Sequence, residues 1–97
     1  MTSIAATRLI VRGRVQGVGY RAWLAREAAR RGLRGWVRNR HDGSVEALLF
    51  APAPTLDDFL AACRTGPAAA DVIEVTVREE AAPAADAFGD FAIWPTA

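Results

Sequence analysis

The chain is predicted to be an α+β protein with its elements in the order β-α-β-β-α-β, an antiparallel sheet carrying two helices on one face. Three observations predict it. Apolar residues alternate with period two over residues 6–15 and 72–80. Apolar residues recur at helical spacing after Tyr20 and again after Thr55. Between them, Asp42-Gly43 joins two strand-like runs with the strongest local hairpin signal in the chain. The 97 residues make one domain, residues 1–97. A chain of this size buries roughly 60–70% of its unfolded surface, enough for a self-standing core.

Each element follows from its residues. In the strand over residues 6–15, Leu9, Val11, Gly13 and Val15 share one face, and Arg8, Arg12 and Arg14 share the other with Ile10. A glycine-rich turn follows. Residues 21–31 are rich in Ala and Arg, both good helix formers. Tyr20, Trp23, Leu24 and Ala28 mark the apolar face of that helix, and Arg26, Arg30 and Arg31 point elsewhere. Tyr20 and Trp23 are read as core, not as a platform for stacked bases. Gly32 suits the C′ position that closes the helix. Residues 33–39 read as the second strand, 39–43 as a turn and 44–50 as a third strand antiparallel to the second. Ala51-Pro52-Ala53-Pro54 breaks the sheet.

Thr55 is the candidate N-cap of the second helix, with Asp57 and Asp58 suited to its first turn. Leu56, Phe59, Leu60 and Cys63 form its core-facing stripe, which makes Cys63 a small buried hydrophobe. Thr65-Gly66-Pro67 ends it. A strand over residues 72–80 should place Ile73, Val75 and Val77 on one face. A loop over 81–87 and a last strand over 88–94 follow, with Phe91 and Ile93 as core contacts. This is the split βαβ arrangement of ferredoxin-like folds, which by itself leaves the function open.

Composition narrows the class of partner. No apolar run approaches the roughly 18 residues of a membrane span, and residues 1–6 do not resemble a secretory leader. The single cysteine rules out an internal disulfide and suits a reducing cytoplasm. One His and one Cys cannot assemble a zinc site of the usual ligand count. The net charge is +1, yet residues 1–40 hold ten Arg against Glu27 alone, and residues 41–97 hold Arg64 and Arg78 against ten acidic residues. All twelve basic residues are Arg, read here as codon bias on a solvated surface. The asymmetry puts positive potential around the glycine turn, where it draws anions. Nucleic acid would fit that field too. An RNA-recognition sheet, however, needs a basic-Gly-aromatic pattern on its third strand. Residues 44–50 lack it and carry Glu46, so a small anion ranks above nucleic acid.

The stretch Gly13-Arg14-Val15-Gln16-Gly17-Val18-Gly19-Tyr20-Arg21 connects the first strand to the first helix. Gly17 and Gly19 free the backbone to take positive φ and to approach a ligand. Successive amides opening onto a helix N-terminus form a concave anion site. Arg21 stands in the first helical turn, where the macrodipole costs a cation about 0.3–1 kcal/mol at an exposed site. A bound anion reverses that sign, and a guanidinium grips phosphate through two parallel N–H bonds. On local pattern alone, a plain strand-to-helix turn with one surface Arg stands beside this reading. Asn39 is likewise open: its amide can hydrogen-bond a water, or it can simply open the hairpin.

Two motifs resemble the acylphosphatase family. The stretch from Gly13 to Arg21 is similar to the first signature of that family. Gly35-Trp36-Val37-Arg38-Asn39-Arg40-His41-Asp42-Gly43-Ser44-Val45 is similar to the second. Their spacing and the βαββαβ order also resemble the family, and the likeness covers nearly the whole chain. One departure is visible: Ala51 stands where the second signature usually ends in Gly. It is distant from the chemistry and is read as a changed turn.

The resemblance implies that the loop Val15, Gln16, Gly17, Val18, Gly19 and Tyr20 holds a phosphoryl group together with Arg21. It implies that Asn39 positions the attacking water. The implied reaction is hydrolysis of an acyl phosphate to a carboxylate and inorganic phosphate, with no metal and no cofactor. Phosphoryl transfer needs positioning and charge stabilisation more than covalent help, and Arg21 with the loop amides supplies the charge. Asn39 cannot act as a general base at neutral pH, so the substrate itself takes the proton, through a phosphate oxygen or the leaving carboxylate. His41 is read as a surface turn residue, Asp42 and Gly43 as turn chemistry, and Gln16 as contributing only its backbone amide. The expected enzyme is a cytoplasmic monomer acting on a small molecule, without nucleic acid or membrane as partner. The alternative is a module that binds phosphate or an acyl phosphate without catalysis.

Overall fold

The computed structural model describes residues 5–81 and 89–97. Its elements are β1 Ala5–Arg14, α1 Tyr20–Arg30, β2 Arg34–Asn39, β3 Val45–Phe50, α2 Ala53–Thr65, β4 Asp71–Ala81 and β5 Ala92–Ile93. They form one five-stranded sheet in the order β4-β1-β3-β2-β5. This is the ferredoxin-like α+β arrangement expected, with one change. β1 runs antiparallel to β3 and β4, and β2 antiparallel to β3, but β5 lies parallel to β2, pairing Trp36 with Ala92 and Val37 with Ile93. The sheet is therefore mixed, not antiparallel throughout. A strand docking on an outer edge can run either way, and side-chain alternation is the same for both.

Alternation in β1 works as predicted. Leu9, Val11 and Val15 are buried in a core with Tyr20, Leu24 and Ala28 of α1, Val37, Ala47 and Leu49 of the sheet, and Phe59, Leu60 and Cys63 of α2. Both helices thus pack on one sheet face. Tyr20 and Cys63 are fully buried, as the core reading required, and Trp23 packs at the rim. α1 closes as expected at Gly32: its N–H donates to the Ala29 carbonyl, and the Leu33 N–H donates to the Ala28 carbonyl. Ala51 is half-buried against the core.

Three expectations fail, each for a tertiary or steric reason. The N-cap of α2 is Pro52, not Thr55, and no acidic residue lies in the first turn. Proline lacks the amide hydrogen that the first turn leaves unpaired, and its fixed φ suits helix entry, so the helix starts early. Asp57 and Asp58 consequently fall past the first turn. Ile73 is 78% exposed. Pairing slips from Arg12–Glu74 to Gly13–Val72, a bulge that passes over Ile73. Val75 packs on the core as expected, with Val72 in place of Ile73, and Val77 is left partly exposed.

The last strand is only Ala92–Ile93, and Ile93 is half exposed, while Phe91 does pack against the core. The expected loop over 81–87 lies outside the described residues, except for Ala81, which belongs to β4. Phe88 lies outside them as well. On the open sheet face, Ala6, Trp36, Leu48 and Phe50 form a second apolar cluster. Trp94 stacks on Trp36 with ring centroids 4.4 Å apart. Among the described residues no helix is long and apolar enough to cross a membrane.

Candidate active site

β1 ends at Arg14, and the next residue, Val15, is buried in the core. Tyr20 is buried as the first residue of α1. The four residues between these anchors must turn the chain within a short span. Gly17 and Gly19 do so at φ 74° and 80°, in the left-handed region. No neighbouring atom lies within 4 Å of where a Cβ would stand on either. Glycine is needed there for its backbone angles, and the space above the loop is open.

Gly19 is the N-cap of α1, with no side-chain capping bond and no acidic residue in the first turn. The positive end of the helix therefore has no anionic side chain of its own. Arg21 lies in that same turn, half-buried. No ion pair among the described residues includes it.

Asn39 arrives from the other motif as the last residue of β2. Its backbone is held on both sides, in register with Val45 of β3 and by the Ala97 N–H, which donates to the Asn39 carbonyl at 3.0 Å. The side chain is held less completely: Asn39 Oδ1 is buried and accepts no hydrogen bond. A buried acceptor left without any partner costs about 1–3 kcal/mol, so Oδ1, which has no protein partner among the described residues, is open to a water or ligand group in the hollow.

Val15, Gln16, Gly17, Gly19, Tyr20, Arg21 and Asn39 meet around one hollow of ≈ 210 Å³. At about 30 Å³ per water, it has room for a phosphoryl group beside a water. Val18 is the exception among the predicted loop residues, packing against the core instead. Ala22 also lines the hollow, which no sequence signal suggested. His41 and Asp42 are exposed and do not line it. Asp42 Oδ1 accepts from the Ser44 N–H and hydroxyl, and these bonds hold its carboxyl below the usual range. That is turn chemistry, as expected.

Gln16 departs from expectation. Its side-chain Nε2 donates to the carbonyl oxygens of Arg40, at 2.7 Å, and Ser44, at 2.8 Å. A glutamine in a loop gives no local signal of a bond 24 or 28 residues away.

A larger hollow of ≈ 370 Å³ lies on the open sheet face, with Arg8, Arg12, Arg40, Arg78 and Glu46 among its lining. Arg8 there is engaged by Glu46 and Glu80. Among the described residues its lining has no buried side-chain polar atom without a partner, and neither Arg21 nor Asn39 lines it. The smaller hollow is the better candidate. Among the described residues no group of three or more His, Cys, Asp or Glu is placed to hold a metal ion.

Residues 7–93 match the family model described as Acylphosphatase. An acylphosphatase from Rhodopseudomonas palustris (strain BisB5) is 58% identical over 77 residues, covering 79% of this chain and 78% of the relative. One from Azoarcus sp. (strain BH72) is 56% identical over 80 residues, covering 82% of each. The crystal structure of acylphosphatase from Bacillus subtilis superposes with a TM-score of 0.85 at 38% identity, covering 94% of this chain and 99% of that one.

Proposed function

The chain belongs to the acylphosphatase family, and on that premise we propose how its own residues hydrolyse the carboxyl–phosphate bond of an acyl phosphate. The phosphoryl oxygens sit on the amides of Val15 through Tyr20 and on the Arg21 guanidinium. Asn39 holds the attacking water. The observation that carries this reading is the meeting around one hollow of a buried Asn39 Oδ1 and an Arg21 that have no partner among the described residues, at the uncapped start of α1.

The water oxygen bonds to phosphorus as the phosphorus–oxygen bond to the acyl group breaks. The products are a carboxylate and inorganic phosphate. Charge on the equatorial oxygens is met by Arg21 and by amides fixed before the reaction begins, which need no reorganisation. No carboxylate or His among the described residues lines the hollow, so the water's proton passes to a phosphate oxygen or to the departing carboxylate. A carboxylate is a good enough leaving group for that to suffice. The working unit is one cytoplasmic, monomeric domain. Loop, Arg21 and Asn39 all come from a single chain, and the lone Cys63 is free and buried.

The test is hydrolysis of a simple aromatic acyl phosphate with EDTA present, for wild type beside Asn39→Ala. Turnover in wild type that is lost in the variant supports the metal-free enzyme and the place of Asn39 at the water. Equal turnover in both removes the role of Asn39. Turnover in neither, with phosphate still bound in calorimetry, turns the reading to a non-catalytic binding module.

A further inference from the structure

β1 and β2 are not neighbours in the sheet, because β3 lies between them. At about 4.8 Å per strand, the loop that follows β1 and the Asn39 that ends β2 start roughly two strand spacings apart. Backbone pairing fixes Asn39 within its sheet but does not tie it to the loop. Among the described residues, the side-chain bonds that cross this gap come from Gln16.

The chemistry of the bridge is specific. The Arg40 carbonyl already accepts the Gly43 N–H, and the Ser44 carbonyl already accepts the Arg40 N–H. Each oxygen keeps a second lone pair, and the amide nitrogen of Gln16 has two hydrogens, one for each. Both carbonyls sit at the mouth of the hairpin, next to Asn39. A Glu at this position offers no donor, and an Asn is one methylene short.

We propose that the Gln16 side chain is a positioning residue, which holds the Asn39 end of the hairpin in register with the phosphate-binding loop and so sets the water's line of attack on phosphorus. The inference rests on the reading of Asn39 as the residue that holds the water. It separates two duties of Gln16: its backbone amide serves the phosphoryl group, and its side chain serves the water. Removing the side-chain donor should slow the chemical step and leave phosphate affinity alone.

The experiment measures kcat and KM for an aromatic acyl phosphate, and the inhibition constant of inorganic phosphate. It compares wild type, Gln16→Met, Gln16→Lys, Asn39→Ala and the Gln16→Met/Asn39→Ala pair. Gln16→Met keeps length and loses the donor. Its kcat should fall about 10- to 100-fold, the scale of a misplaced reacting group, while KM and the phosphate constant stay within about twofold. In the Asn39→Ala background the same change should have no further effect, because Gln16 acts through Asn39. Gln16→Lys, an unbranched chain ending in donors, should keep most of the wild-type kcat, and it decides the matter if Gln16→Met does not fold.

A wild-type kcat in Gln16→Met overturns the proposal. So does a loss of phosphate affinity that matches the loss of kcat, or a further loss in the pair, since both mean that the side chain merely supports the loop. A Gln16→Lys as slow as Asn39→Ala overturns it as well. If instead Asn39→Ala turns over like wild type, the role of Asn39 has failed first, and the inference about Gln16 falls with it.

Discussion

Tyr20 donates its phenolic hydroxyl to the carbonyl oxygen of Cys63 over 2.8 Å, in the interior. This bond ties the first residue of α1, beside the glycine loop, to the last turn of α2. The loop is therefore anchored at both ends by core residues, Val15 on the strand side and Tyr20 on the helix side.

Tyr20→Phe removes that donor and leaves a buried carbonyl without it. The expected cost is about 1–2 kcal/mol. For a domain of this size it corresponds to a fall in Tm of roughly 4–8 °C per kcal/mol. Thermal unfolding by circular dichroism measures it. An unchanged Tm means that the bond contributes nothing net to stability.

The same pair predicts a loss of stability in alkali. Burial raises the Tyr20 hydroxyl well above its ordinary value, and burial pushes the Cys63 thiol up to about 12. In the unfolded chain the thiol ionises near about 8.5 and the phenol near about 10. Above those values the unfolded state releases protons that the folded state retains, so stability falls as pH rises. Urea unfolding from pH 8 to 11 should show full stability at the low end and a decline setting in near pH 9. Tyr20→Phe should flatten the part of the decline that begins near pH 10. A flat profile in wild type contradicts the burial of both groups.

Arg21 and Asn39 set activity against stability. Arg21→Ala and Asn39→Ala should each lower turnover by about 10²–10³, and Arg21→Lys should also fail because the two-pronged grip is lost. Removing Arg21 takes a cation from the positive end of α1 and should stabilise the phosphate-free protein by about 0.3–1 kcal/mol. Deleting the Asn39 acceptor, which has no protein partner among the described residues, should cost no stability. Adding phosphate should reverse the order for Arg21, because only the wild type binds it well. Chemical denaturation with and without phosphate, beside the activity assay, tests both halves. A destabilised, phosphate-free Arg21→Ala contradicts this account.

Ala51 occupies the position where the second family signature usually has Gly. No residue other than glycine takes a positive φ among the described residues, so Ala51 needs no glycine geometry, and its methyl packs against the core. Ala51→Gly should therefore destabilise the protein by about 0.5–1 kcal/mol, through added freedom of the unfolded chain, and leave kcat unchanged. A gain in stability, or a change in kcat, shows that the turn matters in a way its geometry does not reveal.

Much of this molecule is legible in its residues because the forces involved are local. The period-two face of Leu9, Val11 and Val15, the helical face of Tyr20, Leu24 and Ala28, and the closure at Gly32 each depend on neighbours a few positions away. So does the glycine turn: Gly17 and Gly19 sit at positive φ as their residue type invites. Where local rules compete, the outcome is less legible. Pro52 and Pro54 could be read as breaking the sheet, yet proline also starts helices, and α2 begins there and not at Thr55.

What the tertiary structure decided are relations between distant segments. The parallel docking of β5, the bulge that puts Ile73 into solvent, and the stack of Trp94 on Trp36 are set by edges and register. Sequence alone determined the glycine turn between β1 and α1, because a turn of that shape needs glycine at Gly17 and Gly19. Only the folded chain brings Arg21, Asn39 and Gln16 to one hollow. Strand order sets the distance between their strands, and no residue pattern within either motif encodes which strand lies between them.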